Sequence, residues 1–200
     1  MLYIAALAYL FDVQGGLGLG QGQSLLRPFR PERKCVMSKV EVVDFFTRIE
    51  DFTIQLPALP RPTVEELQTR WSWIREIKSN LSPTQPVTME LGTLLHTDEE
   101  KISGNEYHSR RGSTPYLGFQ QGVWLVDHQD DPELAAFRAL RGKVYIDLIG
   151  LEILDWGGGR DFPDLDVVGG RWSLNWRSTE NDDLSRVGRV ARPCKQLFSL

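Results

Sequence analysis

Two hundred residues suffice for one domain whose single core buries roughly 70% of the unfolded chain's surface, so no disulfide or metal staple is required. Hydrophobic residues at 41% and charged residues at 25% exclude global disorder, and a formal net charge of −4 excludes bulk attraction to nucleic acid or anionic lipid. The two cysteines, Cys35 and Cys194, fit no CxxC or Cys/His spacing, which argues against a thiolate zinc site; they pair with each other only if the two ends meet, and free thiols in a reducing, cytoplasmic compartment are the expectation.

Residues 1–11 (MLYIAALAYLF) are an apolar run too short to span a bilayer as a helix, and no Lys or Arg precedes Arg27 to supply the basic region of a secretory signal. The glycine-rich stretch 15–23 lacks the G-K-[ST] ending of a phosphate loop and reads as a linker. Residues 1–36 are therefore expected to be a disordered or mistranslated leader, 37–193 a single α+β domain, and 194–200 a tail.

Ser38 and Glu41 have capping-box spacing, and Val42, Phe45, Phe46, Ile49 and Phe52 follow at helical intervals, which predicts a helix over 38–52. A second box, Thr63 with Glu66, opens a longer pattern of Val64, Leu67, Trp71, Ile74, Ile77 and Leu81. It predicts a helix over 63–81 that ends before Pro83. Alternation over 87–95 predicts a strand, whereas 96–114 shows neither period and reads as a long polar loop. Strands are expected at 116–119 and 123–126.

Asp131-Pro132-Glu133 is a helix start, with Leu134, Phe137 and Leu140 on one side and Gly142 as its stop. Strands follow at 143–149 and 151–156, then a glycine break, and an aspartate-bearing loop over 159–170. Trp172, Leu174 and Trp176 alternate as a strand with one face in the core, and the basic end is expected to form a last edge strand. Together these elements predict an α+β fold: two N-terminal helices packed on a mainly antiparallel twisted sheet of about five to six strands, with one short helix inserted between strands.

Chemistry is sparser. Asp127, His128, Asp147 and Asp155 fall at expected strand ends. If they converge they can hold a divalent metal ion and activate water, the constellation of a metal-dependent hydrolase acting on phosphodiesters. No G-x-S-x-G elbow occurs, and the E-x-K at Glu99-Glu100-Lys101 lies in the polar stretch rather than on a strand. A second group offers binding: Trp156, with the loop acids Asp161, Asp164 and Asp166 and the cationic group His108, Arg110 and Arg111. Trp73 also lies off the apolar side of its expected helix. The leading expectation is a non-enzymatic interaction module with no cofactor, taking a protein partner, with no nucleic acid and no stable membrane insertion. The alternative is the metal-dependent hydrolase.

Overall fold

The computed structural model describes residues 44–180 and 184–194; the expected leader, the Ser38 box and Cys35 lie outside them. In chain order the structure runs β1 (Thr47–Arg48), β2 (Ile54–Leu56), α1 (Val64–Gln68), β3 (Ile74–Asn80) and β4 (Val87–Thr93). It continues with β5 (Lys101–Ile102), α2 (Gly104–Arg111), α3 (Phe119–Asp127), a 3₁₀ turn at Pro132–Leu134 and α4 (Ala135–Arg138). The last part is β6 (Tyr145–Asp147), β7 (Leu151–Asp155), β8 (Arg160–Val168), β9 (Arg171–Ser178), β10 (Leu184–Ser185) and β11 (Gly188–Pro193).

Nine of these strands form one mixed sheet in the order β1-β4-β11-β6-β8-β7-β3, with β2 also on β4 and β9 on the other edge of β8. The β6–β11 pair is parallel; the other pairs of this sheet are antiparallel. Its backbone is the β8–β9 hairpin, which holds continuous register from Asp161↔Ser178 to Val168↔Arg171. Gly169 and Gly170 close it with φ of 61° and 78°, the left-handed pair that a two-residue hairpin turn needs to match strand twist. No helix among the described residues is long and apolar enough to cross a membrane.

This sheet-rich architecture corrects the expected one of helices on a small sheet. The described part of the first expected helix is extended, with Thr47 and Arg48 paired to Thr93 and Gly92 of β4. The second stops after about one turn. Its capping box forms as expected, but Gln68 folds back to donate to the Ile74 carbonyl (2.7 Å), and the chain enters β3. The helical spacing of Ile74 and Ile77 is an effect of irregular pairing. Register shifts between Ile74 and Glu76, and between Ile77 and Ser79, let residues three apart join one cluster from a strand.

Residues 123–126 lie in a helix rather than a strand. Gln121 accepts from the Gly118 N–H (3.0 Å) to start α3, and Gly122 brings it so close to the sheet that a Cβ there would strike Leu148 and Leu174. A glycine in an inward position hides the helical stripe. The 159–170 loop is the strand β8, and it tolerates Pro163 for a geometric reason. The Pro163 carbonyl accepts from Leu148 (2.8 Å), so its missing donor falls on the same side, where β6 gives way to β7 along the β8 edge. Finally, β11 is not an edge strand but lies between β4 and β6.

The sheet has two unlike faces. On one, Met89, Leu91, Ile146, Leu165, Trp172 and Ala191 pack with Leu125 of α3 and Phe137 of α4, and Phe137 stacks on Trp172 at 5.0 Å. On the other, Phe46, Phe162 and Val190 meet Tyr107 of α2 and Leu184, but many neighbouring positions carry charge. The outer edge at the start of β9 is covered by Gln129, which is 2% exposed. Its amide accepts from Trp172 N (2.8 Å) and donates to Trp172 O (3.3 Å), as a neighbouring strand would. Gln129→Ala leaves both groups buried and unpaired, and urea unfolding is expected to show a loss of about 1–3 kcal/mol.

Candidate functional site

The stretch expected as a polar loop contains α2, started by Ser103, whose hydroxyl accepts from Glu106 N (3.4 Å). Its inward positions are Tyr107, Arg110 and Arg111, spaced i, i+3 and i+4. Arg110 and Arg111, expected to face a partner, are only 9% and 8% exposed. Arg110 donates to Glu99 (2.6 Å), Glu106 (2.8 Å) and the Leu94 carbonyl (2.8 Å). The Arg110 bond to Glu99, with one from His96 N, holds the Glu99 carboxyl down at about 2. Arg111 donates to Ile149 O (2.9 Å) and Ser79 Oγ (3.0 Å) and lies 3.6 Å from Glu152. His108 Nε2 is also 3.6 Å from Glu152, yet burial holds the imidazole below its usual pKa against the pull of that carboxylate.

Of the expected acids, the sheet brings together Asp147 and Asp164, which are directly paired across β6 and β8. Both are buried, and Arg177 on β9 reaches them, at 3.4 Å from Asp147 and 3.8 Å from Asp164. The same guanidinium lies 3.9 Å from the centre of the Tyr145 ring. Tyr107, whose phenol is pushed well up by burial and then by Asp147, closes the cluster around a space of about 10 Å³, the size of one water. A substrate cannot enter there.

The other expected residues are dispersed. Asp127 is exposed at the end of α3, and His128 stacks on Trp124 at 4.4 Å with Nδ1 2.8 Å from the Trp124 carbonyl. Asp155 accepts from Gly159 N (2.7 Å) in the β7–β8 turn. Asp161 pairs with Ile153 and Ser178 in the ladder, and exposed Asp166 accepts from Val167 N (2.7 Å). No group of three or more His, Cys, Asp or Glu side chains among the described residues is placed to hold a metal ion.

Trp156 has a different setting. Trp73 and Trp156 flank the pair Ile74↔Asp155 that ends the β3–β7 ladder, and they are 37% and 66% exposed. The Trp156 indole N–H donates to the Ser72 carbonyl (3.2 Å), which fixes the ring although solvent covers most of it. Trp73 meets Trp176 edge-on at 5.9 Å, and Trp176 in turn contacts Trp71 (5.6 Å) and stacks on Phe119 (6.0 Å). The Arg70 guanidinium lies 4.7 Å from the centre of the Trp71 ring. From Trp73 the aromatic surface therefore runs through Trp176 and Phe119 into the core beneath α3. Sequence reasoning missed the convergence of Trp73 with Trp156, because it placed Trp73 on a helix. The position of Trp73 off the apolar side was the signal.

No protein-family model matches this chain, and no curated protein or solved structure is significantly similar to it.

Glu99 titrates near 2 in the folded chain against an ordinary 4.5, so its pairing stabilises above 4.5 and is lost as pH falls through about 2. Glu99→Gln is expected to melt lower than wild type at pH 6, with the gap closing between pH 4.5 and 2. Arg177→Ala leaves two buried carboxylates without their guanidinium, and chemical denaturation is expected to show a loss of about 3–5 kcal/mol.

Proposed function

We propose that the protein is a non-enzymatic interaction module that takes a protein partner on the surface formed by Trp73 and Trp156. The observation that carries this reading is Trp156, two-thirds exposed and yet held by its bond to the Ser72 carbonyl. A ring fixed before binding loses little conformational freedom on binding, and tryptophan is enriched at the points that dominate interface affinity. Arg70, beside Trp71, and Arg75, paired to Glu76 at 3.0 Å, supply a polar rim. A metal-dependent hydrolase has less support. It needs acids converging in a pocket with room for substrate, and the paired acids Asp147 and Asp164 are engaged by Arg177 beside a water-sized space.

The test compares wild type with Trp156→Ala and with Trp73→Ala/Trp156→Ala after a melt has shown each fold intact. Proteins retained by wild type are purified and titrated directly. Trp156→Ala is expected to weaken binding by about 2 kcal/mol, roughly 30-fold. Retention and affinity unchanged in the double variant would remove the platform from the interaction.

A further inference from the structure

A second concavity lies at the other end of β3. It is a cleft of about 600 Å³, within the size range of small-molecule sites, between the 81–86 turn, the start of β4 and the end of β11. Pro83, Pro86, Pro115 and Pro193 line it, and prolines hold their backbone in place before a ligand arrives. Among the described residues no Asp or Glu lines it, and its two charged lining residues are Arg61 and Arg192. Arg192 is already neutralised, donating to Glu90 (2.8 Å) and to both oxygens of Asp44 (2.9 and 3.0 Å).

Arg61 is different. It stands between Pro60 and Pro62, which stiffen the backbone on both sides, and its Nε donates to the Ser82 carbonyl at 3.3 Å. That bond orients the guanidinium and leaves its two terminal nitrogens for a ligand, since no carboxylate pairs with Arg61 among the described residues. One planar guanidinium matches one carboxylate by two parallel hydrogen bonds. A phosphate dianion asks for more than one cation or for a row of backbone N–H groups, and proline-rich walls supply few.

We propose that this cleft binds a small organic monocarboxylate with an apolar body, its carboxylate on Arg61 and its body between the proline walls. Thr84, Gln85 and Thr114 offer polar contacts at the cleft wall for substituents on that body. Cys194 lines the same cleft, and burial pushes its thiol pKa up, so it is a slow nucleophile and a convenient reporter.

The experiment follows iodoacetamide labelling of the Cys194 peptide by mass spectrometry in the full chain, with benzoate as probe and benzamide and inorganic phosphate as controls. Benzoate at ten times its half-saturating concentration is expected to slow labelling about tenfold. Benzamide and phosphate are expected to leave the rate unchanged. Arg61→Gln, with an unliganded melt and labelling rate like wild type, is expected to lose the protection, and Arg61→Lys to keep part of it. No protection by benzoate, or protection that survives in Arg61→Gln, overturns the site. Equal protection by benzamide or phosphate overturns the ligand class.

Discussion

The second face of the sheet depends on neutralising charge where water is excluded. Arg110, Arg111 and Arg192 are buried, and each faces carboxylates: Glu99 and Glu106, Glu152, and Glu90 with Asp44. Arg177 does the same for Asp147 and Asp164. Desolvating such pairs cancels much of their Coulomb attraction, so they add little net stability over an apolar core, but losing one member of a pair is severe. Their effect is on geometry. Arg110 and Arg111 reach Leu94 O and Ile149 O as well as their acids, which fixes both position and rotation of α2 over the sheet.

The opposite face works by ordinary packing, and this division decides where recognition can occur. The cluster of Leu67, Ile74, Phe119, Leu151 and Ile153 anchors the corner between α1 and β3, and that corner presents Ser72 to Trp156. The two outer strands are each blunted as templates for an added strand. Gln129 takes up the outward groups of Trp172 on β9, while β3 carries two register shifts and exposed Lys78. Side chains, not backbone edges, are what this end of the sheet offers a partner.

Legibility in the sequence followed the identity of the inward residues. Strands 87–95, 143–149, 151–156 and 172–176, and buried Trp172, were readable because their inward positions are aliphatic or aromatic, and the Asp131-Pro132 start because proline at a first helical position is a local signal. In α2 the inward positions are Tyr107, Arg110 and Arg111, so a count of apolar residues finds no period. In α3 a glycine occupies an inward position, and in β3 irregular pairing imitates helical spacing. Buried Asp164 looked like a loop residue because its guanidinium neighbour, Arg177, comes from the next strand and cannot be read from local spacing. Of the candidate site, Trp156 was visible alone. Its convergence with Trp73 depends on the β3–β7 register, a non-local fact.

The aromatic platform and the proline-lined cleft lie at opposite ends of β3, whose seven residues separate them by roughly 20 Å. Coupling between two sites requires an element with two arrangements that both ligands bias. β3 is an unsuitable carrier. It is tied to β7 from Ile74↔Asp155 to Asn80↔Leu151, and Leu81 N donates to Gly150 O at 2.7 Å just beyond. A one-residue slip would turn Ile74 out of its cluster and expose it. The physical expectation is therefore two independent surfaces on one rigid frame, each read by side chains that the frame holds in place before binding.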